Sequence, residues 1–187
     1  MQQHTIPRTV AVFCGSRTGD DPVYVAHAQT LGRLLAERGM HLVYGGGGRG
    51  MMGAVADAHL AAGGHVTGII PRVLADFEHQ HQGLSELIVT TDMHERKRMM
   101  YERCDAAVIL PGGLGTLDEL FEMLTWNQLS IHDKQISILD SKGFYTHLVM
   151  HMRNLERTGF LYDRVSDRIS LFDTPEALVE ALAATRS

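Results

Sequence analysis

The 187-residue sequence predicts an α/β protein: a doubly wound, mostly parallel sheet with helices on both faces. Three observations carry this. Short apolar runs at residues 9–14, 41–44 and 106–110 alternate with longer stretches in which apolar residues recur at helical spacing. Glycine-rich or polar segments follow the strands rather than interrupt them, which suits ligand-binding turns at strand ends. At 44% hydrophobic residues, the chain can build the core of a single domain over residues 1–187.

In order, residues 9–14 form a strand that ends in Cys14-Gly15-Ser16-Arg17. A helix follows over about 22–38, with Pro22 near its start and Leu31, Leu34 and Leu35 on one face. Residues 41–44 are the second strand and run into Gly45-Gly46-Gly47-Gly48-Arg49-Gly50-Met51-Met52-Gly53. An alanine-rich helix over about 50–62 is ended by Gly63-Gly64, and residues 65–70 are a strand stopped by Pro71. Residues 71–85 lack a clear period and read as loop and short helix. A fourth strand covers 87–91, and Asp92 caps a helix over 93–103. The buried-looking strand at 106–110 leads into a helix that runs to about 129. A strand at 135–139, a helix over about 144–157, a strand at 169–172 and a helix started by Thr174-Pro175 complete the chain. No linker, repeat or low-complexity segment divides it.

Composition narrows the function classes. A formal net charge of −5 argues against a nucleic-acid polymer or an anionic membrane as main partner. No apolar run approaches the ~20 residues of a membrane span, and nothing near Met1 resembles a signal peptide. Cys14 and Cys104 are the only cysteines, so reduced thiols in a cytoplasmic setting are expected.

The chain is organised around Pro111-Gly112-Gly113-Leu114-Gly115-Thr116-Leu117-Asp118-Glu119, at a strand-to-helix junction. Three glycines let backbone amides approach a ligand, and the unpaired N–H groups of a helix start favour an anion. Thr116 adds a hydroxyl, and Glu119 lies one turn further on. The plain structural alternative is a capping box between Thr116 and Glu119. Upstream, Asp92-Met93-His94-Glu95-Arg96-Lys97 opens another helix: Asp92 and Glu95 fit its cap, while Arg96 and Lys97 either point at an anion or form a solvated basic face.

Gly48-x-Gly50-x-x-Gly53 matches the dinucleotide fingerprint, but the next strand ends Ile69-Ile70-Pro71-Arg72 without the acidic residue that a ribose needs, so NAD is not expected. A P-loop is excluded because no Gly-Lys-Ser/Thr occurs. His79-x-His81 and His147-x-x-x-His151 have ligand-like spacing, but no carboxylate or cysteine nearby completes a set, and no metal is expected. Schiff-base decarboxylation has only Lys97 to draw on near the motifs, out of the three lysines Lys97, Lys134 and Lys142.

Pro111-Gly112-Gly113-x-Gly115-Thr116-x-x-Glu119, with Met93-His94-x-Arg96-Lys97 before it, resembles the LONELY GUY family of cytokinin riboside 5′-monophosphate phosphoribohydrolases, long labelled lysine decarboxylases. Cys14-Gly15-Ser16, the glycine run 45–53 and Thr125-Trp126-x-Gln128-Leu129 extend the resemblance to nearly the whole chain. It implies hydrolysis of the N-glycosidic bond of an N6-modified adenosine 5′-monophosphate, without a cofactor, on a Rossmann-like fold in at least a dimer. The site residues it implies are Glu78, Arg96, Lys97, Gly113, Leu114, Gly115, Thr116, Glu119 and Thr125, with Glu119 and Arg96 catalytic and Ser16, Gly46 and Met93 further contacts. A general purine nucleotide glycosidase and a non-catalytic nucleotide or molybdenum-cofactor binding protein are the alternatives. Glu119 with Arg96 separates hydrolase from carrier, since a carrier needs no such pair. The apolar surfaces of the helices bearing Met93 and Leu117 lead us to expect a homodimer.

Overall fold

The computed structural model describes residues 8–75 and 80–184, so Glu78 and His79 lie outside the described residues. Seven strands form one sheet: β1 (Thr9–Phe13), β2 (His41–Tyr44), β3 (Val66–Pro71), β4 (Glu86–Thr90), β5 (Ala106–Ile109), β6 (Gln135–Leu139) and β7 (Ile169–Phe172). Their order is β4-β3-β2-β1-β5-β6-β7, and every neighbouring pair is parallel. The strands read as continuous apolar runs because both faces of a parallel sheet are covered.

The helices are α1 (Pro22–Glu37), α2 (Gly50–Ala61), a single turn α3 (Arg72–Ala75), α4 (Met93–Arg103), α5 (Leu114–Gln128), α6 (Thr146–Arg157), a second single turn α7 (Val165–Arg168) and α8 (Pro175–Ala183). Alternation along the strands splits the core in two. Val10 and Val12 of β1 pack with Leu31 and Leu35 of α1, Val55 of α2 and Leu178 of α8. Ala11 and Phe13 face the other way, toward Met100 of α4, Leu120 and Met123 of α5 and Met152 of α6.

Three local outcomes differ from the sequence expectation. The strand ending at residue 70 continues through Pro71, which pairs in register with Thr90; β2 pairs with β3 only as far as Gly68, so Pro71 lies where one flank of β3 no longer needs a ladder donor. The helix expected from about residue 144 begins at Thr146, after a 3₁₀ turn at Ser141–Gly143 that holds Lys142 at φ 53°. The helical turn at Val165–Arg168 has no counterpart in the sequence reading, because four residues are too few to show a period.

Candidate active site

Strand order reverses at the centre of the sheet. After β1 the chain goes outward through β2, β3 and β4, then returns to lay β5 on the other side of β1. The segments leaving β1 and β5 must therefore diverge, and they leave a crevice at the carboxyl ends of the strands. A cleft of about 340 Å³ occupies that position, lined by Cys14, Gly15 and Ser16 after β1, Gly45 after β2, Met93 and Arg96 of α4, and Gly113, Leu114, Gly115, Thr116, Asp118 and Glu119 after β5. Past Gly113 it adjoins a second recess of about 390 Å³ bounded by Arg17, Thr18, Tyr24 and Phe144.

Gly113 is the N-cap of α5 and offers no side chain to the first-turn amides. Thr116 therefore lies inside the first turn rather than at the cap, and the Thr116–Glu119 capping box does not form. Both side chains are instead held within the protein at the cleft, Thr116 3% and Glu119 9% exposed. The motif's composition follows from crowding. A Cβ on Gly112 would come within 2.2 Å of the Thr116 hydroxyl and 2.9 Å of the Gly15 amide, so the turns after β1 and β5 touch only because Gly112 has none. Gly15 N–H also donates to the Pro111 carbonyl at 3.1 Å, fastening the two turns together. On the β2 side, Gly50 has φ +61°, and a Cβ there would sit 2.3 Å from the Ser16 carbonyl oxygen.

Arg96 reaches the same cleft from α4. That helix begins with a reciprocal cap: Asp92 accepts from the Glu95 amide at 2.8 Å, and Glu95 accepts from the Thr91 amide and hydroxyl at 2.7 Å each. The Arg96 guanidinium is 5% exposed. Its Nε donates to the Ile69 carbonyl and its Nη2 to the Gly45 carbonyl, both at 3.1 Å, at the ends of β3 and β2. A permanently charged fork is thereby fixed in orientation by the sheet itself.

The other expected site residues divide. Ser16 and Met93 line the cleft beside Gly113, Leu114 and Gly115. Gly45 lines it rather than Gly46, whose carbonyl is engaged by the His81 amide at 3.0 Å. Lys97 turns to Glu122 and Asp118, at 2.7 and 3.2 Å. Burial lowers its pKa, but the hydrogen bonds it donates to these carboxylates more than offset that and hold the ammonium above the ordinary lysine value. Thr125 is on the outward side of α5, donating to the Phe121 carbonyl at 2.7 Å beside an apolar groove of about 100 Å³. Neither Lys97 nor Thr125 lines the cleft.

Leu74 and Met52, outside the expected site residues, also line it, beside Asp118 of the motif. Asp118 sat inside the motif as an unspecified position; Leu74 lies on α3, where no period was visible. Larger recesses of about 560 and 710 Å³ lie away from this junction, at the amino ends of β5 to β7 and along α6. In the first of them Lys134 donates to the Tyr101 carbonyl and Arg168 pairs with Asp163, so its cations are already engaged. His81 uses both ring nitrogens, with Asp57 and with the Gly83 amide, each at 2.9 Å.

A protein-family model described as "Possible lysine decarboxylase" matches residues 52–182. A cytokinin riboside 5′-monophosphate phosphoribohydrolase of Arabidopsis thaliana, LOG5, is 43% identical over 179 residues, covering 95% of this chain and 78% of that protein. The enzyme of the same name from Rhodococcoides fascians is 39% identical over 187 residues, covering 100% and 93%. Among solved structures, the molybdenum cofactor binding protein of Rippkaea orientalis superposes with a TM-score of 0.70 at 22% identity, covering 97% of this chain and 96% of that one. That likeness is one of fold.

Proposed function

Because the chain belongs to the LONELY GUY family of cytokinin riboside 5′-monophosphate phosphoribohydrolases, we propose that it hydrolyses the N-glycosidic bond of an N6-modified adenosine 5′-monophosphate. The products are the free base and ribose 5-phosphate. The observation that carries the reading is the meeting, in one cleft at the sheet's switch point, of the uncapped N-terminus of α5 with Arg96 and Glu119.

The 5′-phosphate binds at the amides of Leu114, Gly115 and Thr116, where helix start and ligand charge complement each other. Glu119 is three to five residues further along α5, about 4.5–7.5 Å at the helical rise, which places its carboxylate within reach of the ribose of a nucleotide whose phosphate sits at those amides. As the C1′–N bond lengthens, its electron pair moves onto the base and positive charge develops on the ribose. The Glu119 carboxylate stabilises that charge and orients or deprotonates the water whose hydroxyl adds to C1′, and the proton lost by that water balances the one taken up by the departing base nitrogen. Arg96, fixed by two carbonyls, is aimed at the substrate from the opposite wall; it holds the ligand or supports charge changes at the departing base. Ser16, Met93 and Glu78 complete the contacts in this reading.

Schiff-base decarboxylation is disfavoured on chemistry. It requires a neutral lysine amine, and the Lys97 ammonium is held charged by two carboxylates. The non-catalytic carrier reading is weaker because it gives no task to Glu119. A cytoplasmic setting, suited to a chain with only two cysteines, belongs to the same proposal; among the described residues no helix is long and apolar enough to cross a membrane. So does a homodimer packed through the outward side of α5, where Leu114, Phe121 and Leu129 are 86%, 39% and 64% exposed and Ile131 extends the row.

The test is to incubate the purified protein with AMP, N6-isopentenyl-AMP, its riboside, GMP and CMP and to follow release of free base. The N6-modified nucleotide is expected to react best. The riboside is expected to fall at least about a hundredfold behind, since each lost charge-assisted hydrogen bond costs about 1.5–3 kcal/mol. Equal turnover of nucleotide and riboside would remove the phosphate subsite from this reading.

A further inference from the structure

The charged end of Lys97 is enclosed by carboxylates. Its side chain is 11% exposed, with Nζ 2.7 Å from Glu122 and 3.2 Å from Asp118. Glu122 also accepts from the Tyr101 hydroxyl at 2.9 Å, and the same hydroxyl approaches the Glu119 carbonyl at 3.4 Å. Tyr101 is itself wedged edge-on against Phe13 and Trp126, with ring centroids 5.9 and 5.0 Å away. One ammonium between two carboxylates leaves a local excess of negative charge. A substrate phosphate brought to Lys97 would be repelled there and would have to displace a paired carboxylate.

The pairing joins the immediate neighbours of the two cleft residues. Lys97 follows Arg96 on α4, and Asp118 precedes Glu119 on α5. From this we infer that Lys97 is a positioning residue: through Glu122 and Asp118 it braces α4 against α5 and fixes how Arg96 and Glu119 face each other across the cleft. The inference rests on the proposed hydrolase reading, and it differs from the direct substrate contact that family resemblance implies for this lysine. A brace of this kind controls turnover more than binding, because small misplacements of catalytic groups reduce rate steeply.

The test compares Lys97→Met, which keeps the apolar stem, with Lys97→Arg, Glu122→Gln and the Lys97→Met/Glu122→Gln double variant. Each is measured for kcat and KM on AMP and on N6-isopentenyl-AMP, and for competitive inhibition by ribose 5-phosphate. Lys97→Met should lower kcat about tenfold while KM and the inhibition constant move less than about threefold. Lys97→Arg should restore most of the rate, since a guanidinium fork can reach both carboxylates. The double variant should be no worse than the poorer single one, as expected for partners in one interaction.

An inhibition constant that rises tenfold or more with kcat unchanged would place Lys97 on the phosphate and overturn the inference. Wild-type kcat in Lys97→Met would do the same, by showing that the pair positions nothing. Should Lys97→Met fail to fold, Lys97→Gln and Glu122→Gln carry the same comparison. If the wild-type protein released no base from either nucleotide, the hydrolase reading would fall. The same four variants would still report on the brace through a thermal-unfolding double-mutant cycle, where zero coupling between Lys97 and Glu122 would refute it.

Discussion

At the scale of single residues, Glu119 carries the most weight, and its environment separates chemistry from architecture. A cap residue is exchangeable for glutamine at no great loss, but Glu119 is not at the cap: Gly113 is, and Glu119 is nearly buried two turns into α5 beside the cleft. Glu119→Gln keeps size and hydrogen-bonding capacity while removing the charge that would stabilise an oxocarbenium-like state. Base release is expected to fall at least about a hundredfold, within the range of general acid–base contributions. The melting temperature should move little and AMP should still bind. A stable Gln variant with near wild-type turnover would take Glu119 out of the mechanism and direct attention to Glu78. Arg96 illustrates a different residue-level constraint. Its guanidinium spends two donors on the carbonyls of Gly45 and Ile69, so a lysine there could not keep both contacts and still present a fixed fork to the cleft.

At the scale of elements, α2 matters because its first turn sets Gly50 against the Ser16 turn and brings Met52 to the cleft, while its last turn carries a buried histidine. His59 is 0% exposed, and its Nδ1 donates to the Gly32 carbonyl of α1 at 2.9 Å. Burial pushes its pKa below the ordinary histidine value, His41 and His65 add like-charge pressure, and the Gly32 carbonyl opposes them without prevailing. The unfolded chain therefore takes up a proton that the folded one resists. Stability is full above about pH 6.5 and falls as pH drops below it, with a limiting slope of about 1.4 kcal/mol per pH unit for one such proton. Urea unfolding between pH 8 and 5 should show this loss. His59→Asn, which can still donate to Gly32 but cannot be protonated, should show a shallower decline even though the smaller side chain lowers stability overall. An unchanged slope would take His59 out of the acid response.

At the scale of the whole molecule, the parallel sheet explains why one end of the protein carries the site. All seven strands point their carboxyl ends the same way, so every loop that follows a strand gathers at one edge, and the reversal between β1 and β5 opens the cleft there. The outward side of α5 is left with Leu114, Phe121 and Leu129 partly or largely in contact with solvent, an apolar row that a second copy would cover. Light scattering at micromolar concentration is expected to give twice the monomer mass. Replacing Leu129 and Ile131 by polar residues should shift the protein toward monomer, and a wild-type monomer would contradict the packing proposed for α5.

Much of this was present in the order of residues. Strand positions follow from continuous apolar runs, which a sheet covered on both faces demands. The Asp92 cap of α4 is local, set by hydrogen bonds within four residues of chain, and the glycine-dense junctions are legible as turns from their composition alone. Gly113-Leu114-Gly115-Thr116 and Glu119 were legible as a candidate site from the motif, and the fold brings them to one cleft. What sequence could not supply was direction. Arg96 and Lys97 are adjacent and alike in charge, yet successive residues on a helix point about 100° apart. Only the packing of α4 on β2, β3 and α5 sends Arg96 to the carbonyls of Gly45 and Ile69 at the cleft and Lys97 to Glu122 and Asp118. The same holds for Thr116 and Glu119, whose spacing fits a capping box, whereas α5 starts at Leu114 with Gly113 as its cap and Thr116 inside the first turn. Local chemistry fixed which residues could act; contacts between segments distant in the chain decided which of them face one another.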